Sequence, residues 1–322
     1  MTSHRNESPG QPTGWTPDVP LQVPPVLEWP PRPAVVLRFF LGFPSVYLPW
    51  TALYALLALG VGAGLQQFGE FSPLWFAALL AMNILIAAVF YSAWHWWLYG
   101  RRAQGIEFKY NPQWPVERGR QFLFGRPLLS NVIWALGAGV PIWTAYLALT
   151  LYAQAQGIAP VASWSESPLY CTLLMLALPF FHVVHFYFGH RLLHWQPLYD
   201  SVHYLHHANI NPGPWSGLAM HPIEHLVYFS GILLLWIVPA TPLHAIFFTM
   251  FVALAPVEGH SGFGKMRVGS GWLETDNFYH YLHHKHFRVN FGASLLIPLD
   301  RFFGTFHDGT RRVPRREPRG LS

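Results

Sequence analysis

The residues most able to do chemistry here are the histidines: 18 in 322 residues, 16 of them between positions 182 and 307. Three groups stand out by spacing: His190-Arg-Leu-Leu-His194, His203-Tyr-Leu-His206-His207 and His280-Tyr-Leu-His283-His284. On a helix, positions i and i+4 lie one turn apart on one face, and i+3 shares that face. Each group is therefore expected to offer two or three imidazoles to one point in space. Imidazole suits iron, zinc, copper and nickel. Eight or more nitrogens exceed what one ion uses at roughly four to six ligands, so two ions are the natural count. A catalytic zinc keeps about three protein ligands and an open position, which argues against a zinc hydrolase. Isolated histidines inside apolar runs, His95, His182, His185 and His244, are read as packing or hydrogen-bonding residues. The single cysteine, Cys171, allows no disulfide within the chain and no cysteine-based metal site.

The elements that must position these groups are apolar. Hydrophobic residues make up 52% of the chain and charged residues only 11%, against about 25% charge in a soluble domain. About six segments are apolar and long enough to read as bilayer spans: 46–65, 74–97, 128–152, 169–195, 223–238 and 243–255. The last two form a hairpin broken at Pro239-Ala240-Thr241-Pro242. With a cytoplasmic N-terminus, the outer loops 66–73, 153–168 and 239–242 hold no Lys or Arg, so all 20 fall inside. They include Arg101, Arg102, Lys109, Arg118, Arg120 and Arg126 in the loop 100–126, and the tail Arg311, Arg312, Arg315, Arg316 and Arg319. The net charge of +5 therefore reflects topology and not a nucleic-acid partner, because the basic residues flank apolar runs. Every histidine group then lies at the cytoplasmic face.

The stretch from Phe181 to Gly309 resembles the fatty acid hydroxylase/sterol desaturase superfamily of integral-membrane di-iron enzymes. The motifs are Phe186-Tyr-Phe-Gly-His190-Arg-Leu-Leu-His194, His203-Tyr-Leu-His206-His207, His221-Pro-Ile-Glu224, His260-Ser-Gly and His280-Tyr-Leu-His283-His284. They close with Asn290-Phe-Gly and Leu299-Asp-Arg-Phe-Phe-Gly304-Thr305. Many members carry an acidic residue ahead of the first motif histidine; here His182, Val183, Val184 and His185 occupy that region. The resemblance implies metal ligands at His190, His194, His203, His206, His207, His280, His283 and His284, and suggests His260 as a further one. His221 and His225 are candidate ligands or substrate-pocket residues. Glu224, Glu274, Asp276 and Asp300 are candidate acceptors for ligand ring N–H groups. No catalytic residue is expected beyond the metal centre.

The expected fold is all-α: multi-spanning membrane helices with a cytoplasmic helical cap holding a histidine-rich di-metal site. Four regions are expected. Residues 1–33 form a disordered or surface-lying proline-rich tail without a signal-peptide core. Residues 34–180 form spans and an interfacial basic loop, 181–309 the di-iron domain, and 310–322 a basic tail. The expected function is O2-dependent hydroxylation or desaturation of a sterol, fatty acyl or sphingolipid-like substrate, using two iron ions. No dinucleotide motif, cysteine cluster or haem domain is visible, so an external ferredoxin or cytochrome with its reductase is the expected donor. With no organelle signal in view, a bacterial inner membrane is the expected location. The alternative is a histidine-rich metal transporter or sensor. That reading needs ionisable ligands along a path near the midplane, whereas these groups sit beyond helix ends at one face.

Overall fold

The structure, a computed structural model, describes residues 14–18, 21, 25, 28–42, 48–60, 68–70, 72–275, 277–292, 294 and 297–310. Short α1 (Pro33–Gly42) and α2 (Leu48–Gly60) precede α3 (Pro73–His95), which runs on through a π-helical turn, Trp96–Gly100. Next, α4 (Pro127–Trp134), a second π-turn (Ala135–Gly139) and α5 (Val140–Ala155) make one continuous rod, followed by α6 (Pro168–Leu193). Then come α7 (Gln196–Leu198), a π-turn (Tyr199–His203) and α8 (Tyr204–His207). The next element, α9 (Pro222–Phe229), passes into a 3-10 helix (Ser230–Trp236) before α10 (Pro242–Gly259). A small antiparallel hairpin, β1 (Lys265–Val268) with β2 (Gly271–Glu274), leads to α11 (Phe278–His286) and α12 (Leu299–Phe302). Proline opens α3, α4, α6, α9 and α10. Its missing N–H is harmless in a first turn, and its fixed φ suits a helix start.

Among the described residues, four helical rods are long and apolar enough to cross a membrane: Pro73–Gly100, Pro127–Ala155, Pro168–Leu193 and Pro242–Gly259. At about 1.5 Å per residue even the shortest spans roughly 27 Å, near the hydrocarbon thickness. The expected first span falls partly outside the described residues. The expected fifth is a correction: Pro222–Trp236 is too short to count among the four, because the α-helix stops at Phe229. There the Ser230 hydroxyl donates to the Val227 carbonyl (2.8 Å). Gly231 beside it lets Phe248 and His185 approach to where a Cβ would sit 3.1–3.2 Å from them. Uniformly apolar α10 is the central helix, packed on α2, α3, α5 and α6, as a helix hydrophobic on every side requires. Buried polar groups find partners between helices: Asn83 donates to Thr144 (2.9 Å) and Tyr91 to the Ala253 carbonyl (2.8 Å).

The loop 100–126 is more than a connector. Lys109 is buried, donating to the Asn111 and Gln113 carbonyls at 2.7 and 3.0 Å beside the rings of Tyr99, Trp114 and Phe263. Its backbone bridges Phe263, three residues after His260. Two described residues of the N-terminal region lie against the rest of the chain. Trp15 packs on Phe108 and Tyr110 and donates its backbone N–H to the Lys109 carbonyl (2.8 Å). Leu21 is buried with Tyr110, Phe278 and Leu282. Apolar side chains spaced through a polar, proline-rich run were enough to dock it. Residues 1–13 and the tail 311–322 lie outside the described residues.

Candidate metal centre

Five elements deliver nine histidines to one end of the helices. His190 and His194 end α6, and His203, His206 and His207 come from the π-turn and α8. His260 caps α10, and His280, His283 and His284 lie on α11. They form two groups: His190, His194, His203, His207 and His283 in one, and His206, His260, His280 and His284 in the other. Within each group one donor atom per residue lies within 4.8 Å of all the others. The groups adjoin, with the His207 and His284 rings 4.8 Å apart.

This arrangement corrects the expectation that each sequence group serves one point. His203 and His207 face the first group while His206 faces the second; His280 and His284 face the second while His283 faces the first. At about 100° per residue, i and i+4 diverge by only about 40°, whereas i+3 falls on the other side of i. One turn of helix can thus feed two adjacent foci, and the two His-x-x-His-His motifs do so in exchanged senses.

Ring orientation fixes what the foci can hold. His190 Nδ1 donates to the Phe291 carbonyl (2.6 Å), His283 Nδ1 to Val289 (2.7 Å) and His260 Nδ1 to Pro256 (2.9 Å). A carbonyl oxygen only accepts, so these Nδ1 atoms carry hydrogen and the Nε2 atoms present lone pairs when the rings are neutral. Burial, reinforced by neighbouring imidazoles, pushes His203, His206, His207, His280, His283 and His284 well below the ordinary imidazole range. These rings are therefore neutral near pH 7. Yet neighbouring Nε2 atoms stand 3.0–3.3 Å apart in both groups. Where both Nε2 atoms of such a pair present lone pairs they repel, and a cation at the focus relieves the repulsion. Nitrogens about 2.1 Å from a common ion, at adjacent positions, are themselves roughly 3.0–3.4 Å apart. The donor set fits two metal ions.

The other expected residues separate. Glu224, buried, pairs with His203 Nδ1 at 2.8 Å. Asp300, buried, accepts from the Phe291 and Gly292 amides (2.9 and 2.8 Å), Thr305 Oγ1 (2.5 Å) and the Tyr279 hydroxyl. It thereby sets the strand whose Phe291 carbonyl holds His190. Glu274 is instead exposed on β2, 2.7 Å from Lys265 Nζ, because the hairpin carries it away from the histidines. Asp276 lies outside the described residues. His221 and His225 join neither group: His221 Nδ1 accepts the Ile223 amide as the cap of α9, and His225 Nε2 donates to the Leu218 carbonyl (3.1 Å). The isolated histidines pack as read: His185 meets Ser230 Oγ (3.0 Å) and His244 the Cys171 carbonyl (2.8 Å).

Sequence reasoning missed the carbonyl partners, since every residue has a carbonyl. It also missed a narrow crevice of about 10 Å³ between α6 and α9, lined by Phe186, Gly189, Leu193, Val227 and Tyr228 together with His190 and Glu224.

The family model described as Fatty acid hydroxylase matches residues 174–305. Sphinganine C4-monooxygenase 1 of Arabidopsis thaliana is 30% identical over 134 residues, 37% of this chain and 48% of that protein. A methylsterol monooxygenase of Aspergillus fumigatus is 32% identical over 120 residues, 34% of this chain and 39% of that protein. A Delta(7)-sterol 5(6)-desaturase of Gibberella zeae is 31% identical over 124 residues, 33% of each chain. The chain thus spans half or less of the length of these relatives. No solved structure matches it. Residues 174–305, with the nine clustered histidines inside them, are thus similar to the fatty acid hydroxylase family and to sphingolipid and sterol monooxygenases and desaturases.

Proposed function

We propose that the chain is an O2-dependent, non-haem di-iron oxidoreductase that hydroxylates or desaturates a membrane-partitioned lipid of sterol, fatty acyl or sphingolipid type. One observation carries this reading: two adjoining sets of imidazole nitrogens, five and four, converge on neighbouring points. His190, His194, His203, His207 and His283 would hold one iron, and His206, His260, His280 and His284 the other. When bound, the irons supply the O2-activating redox chemistry that side chains lack and an unactivated C–H bond demands.

The chain's own residues bind, orient and exclude. The Phe291, Val289 and Pro256 carbonyls lock three rings in one tautomer and direction, and the Glu224 carboxyl group orients a fourth, His203. The narrow apolar crevice between α6 and α9 lies beside His190, on the side from which a lipid in the bilayer would approach. Hydroxylation consumes the lipid C–H, O2, two electrons and two protons, and yields an alcohol and one water. Desaturation consumes the same reagents, removes two hydrogens and yields two waters. The electrons come from an external ferredoxin or cytochrome with its reductase, approaching the basic face that also carries the histidines. That face and both termini are cytoplasmic, in a bacterial inner membrane, with 34–180 as the spanning region and 181–309 as the di-iron domain. The names of the relatives, two monooxygenases and a desaturase, support the reaction class.

The test is lipid mass spectrometry of the native host: a deletion strain against strains rescued with the intact gene or with His206→Ala. A lipid one oxygen richer or two hydrogens poorer should vanish on deletion and return only with intact His206. Unchanged lipids with altered cellular metal content would instead establish transport.

A further inference from the structure

A second chemical feature lies on the loop before α4, away from the histidines. Arg118, Arg120 and Arg126 line one open concavity of about 410 Å³ with Gly119, Phe124 and Gly125. All three arginines are exposed. Among the described residues none of them pairs with a carboxylate. Glu117 is the only acidic residue from 108 to 165, so the loop keeps a net positive charge.

The same loop displays an apolar side chain outward. Hydrogen bonds from Gly119 N to the Gly125 carbonyl (3.1 Å) and from Gly125 N to the Phe122 carbonyl (2.9 Å) close it. At its tip Phe124 adopts φ 55°, ψ 19°, a left-handed conformation that bulky residues avoid, and is 79% exposed. Leu128 and Leu129, in the first turn of α4, are also exposed. They begin the 29-residue rod Pro127–Ala155. Exposed apolar surface therefore runs from the span onto the loop tip, with guanidinium groups beside it. This is the arrangement of a membrane interface: ring and leucines among acyl chains, planar forks on phosphate oxygens. The loop stands at the metal-centre end of the helices. One turn into α4, Asn131 exchanges two amide hydrogen bonds (2.9 and 3.1 Å) with Asn209, two residues after His207.

We propose that the 117–126 loop binds the phosphate headgroup of an anionic glycerophospholipid, with Phe124 inserted among its acyl chains. An acidic protein partner would need the arginines but not a phenylalanine raised at the mouth of a span. The site is independent of the redox reading and stands or falls without it.

The test uses the full chain in neutral detergent, titrated with phosphatidylglycerol or phosphatidylcholine and followed by native mass spectrometry. The wild type should retain phosphatidylglycerol in preference to phosphatidylcholine. The combined variant Arg118→Gln/Arg120→Gln/Arg126→Gln should lose affinity for phosphatidylglycerol on the order of 100-fold, at roughly fivefold per arginine near a charged surface. Phe124→Ser keeps every arginine and should lower retention severalfold, so it reports even if the triple variant misfolds. Equal binding of the two lipids, wild-type binding by the triple variant, or no loss in Phe124→Ser each overturns the proposal. So does displacement of the lipid by equimolar inorganic phosphate, which would mark a free-anion site. Unchanged lipid binding with slowed reduction by an acidic ferredoxin would mark a protein dock and overturn it equally.

Discussion

Asp300 touches no histidine, yet it should govern one metal and spare the other. Its carboxylate accepts the rigid amides of Phe291 and Gly292 and the hydroxyls of Thr305 and Tyr279, with the residue 1% exposed. Hydroxyls can turn to new acceptors; the two backbone N–H groups cannot. A stranded buried donor costs about 1–3 kcal/mol, so Asp300→Ala should lose about 2–6 kcal/mol. Asp300→Asn replaces one oxygen by a donor that faces one of those amides, so it strands one and should lose about 1–3 kcal/mol. The displaced segment carries the Phe291 carbonyl that holds His190 Nδ1. Losing such an orienting partner weakens metal binding by about 10–100-fold. The assay loads the purified chain with iron, or with zinc as a redox-silent probe, and follows release to a chelator. In Asp300→Asn one metal equivalent should leave about 10–100 times faster and the other at the wild-type rate. Equal acceleration of both equivalents, or wild-type release despite a lowered thermal transition, would refute the idea that Asp300 acts through Phe291 on the five-histidine group.

Other perturbations should separate the two groups or set their working range. Gly217→Ala places a Cβ 2.5 Å from the Pro256 carbonyl oxygen that holds His260. It should cost about 1–3 kcal/mol and speed release from the four-histidine group; chelator kinetics decide. Glu224→Ala removes the acceptor on His203 Nδ1 and should weaken the five-histidine group by about 10–100-fold, while Glu224→Gln keeps an acceptor oxygen and most of the affinity. Metal titrations compare them. Acid should destabilise the metal-free protein. The folded state holds His203, His206, His207, His280, His283 and His284 neutral, far below their ordinary values, through burial. Below about pH 6.5 the unfolded chain takes up protons that the folded chain refuses. Stability is then full above that pH and falls beneath it, and metal retention falls with it. A thermal transition that stays flat down to about pH 5 would contradict this.

Much of the site was legible because its signals are local. The histidine spacings depend on helix periodicity alone, and the apolar runs on length alone, so a metal centre beside membrane helices could be read directly. The expectation of two ions followed from counting nitrogens, and the structure gathers those nitrogens in two groups. The role of Asn290-Phe-Gly was not legible, although the motif was visible. Asn290 sits at φ 55° with its side chain bonded to the Tyr279 carbonyl and to both backbone groups of His307, fixing the Phe291 carbonyl next to it. Glu274 was misplaced because sequence proximity to His280 says nothing about a hairpin that turns outward. The packing of Trp15 and Leu21 was hidden because their partners lie about 100 and 260 residues away.

By itself, then, the sequence determined the kind of donor atoms, their number, and the apolar helices that carry them, because composition and short-range periodicity are properties of the chain. Only the tertiary structure decided which imidazole faces which focus. His206 and His207 are neighbours in the chain yet serve different groups, and His283 crosses to the one that His280 and His284 do not. That choice depends on where α6, α8, α10 and α11 meet, and on which distant carbonyl takes each Nδ1 proton. Both are set by packing between elements, which no local spacing encodes.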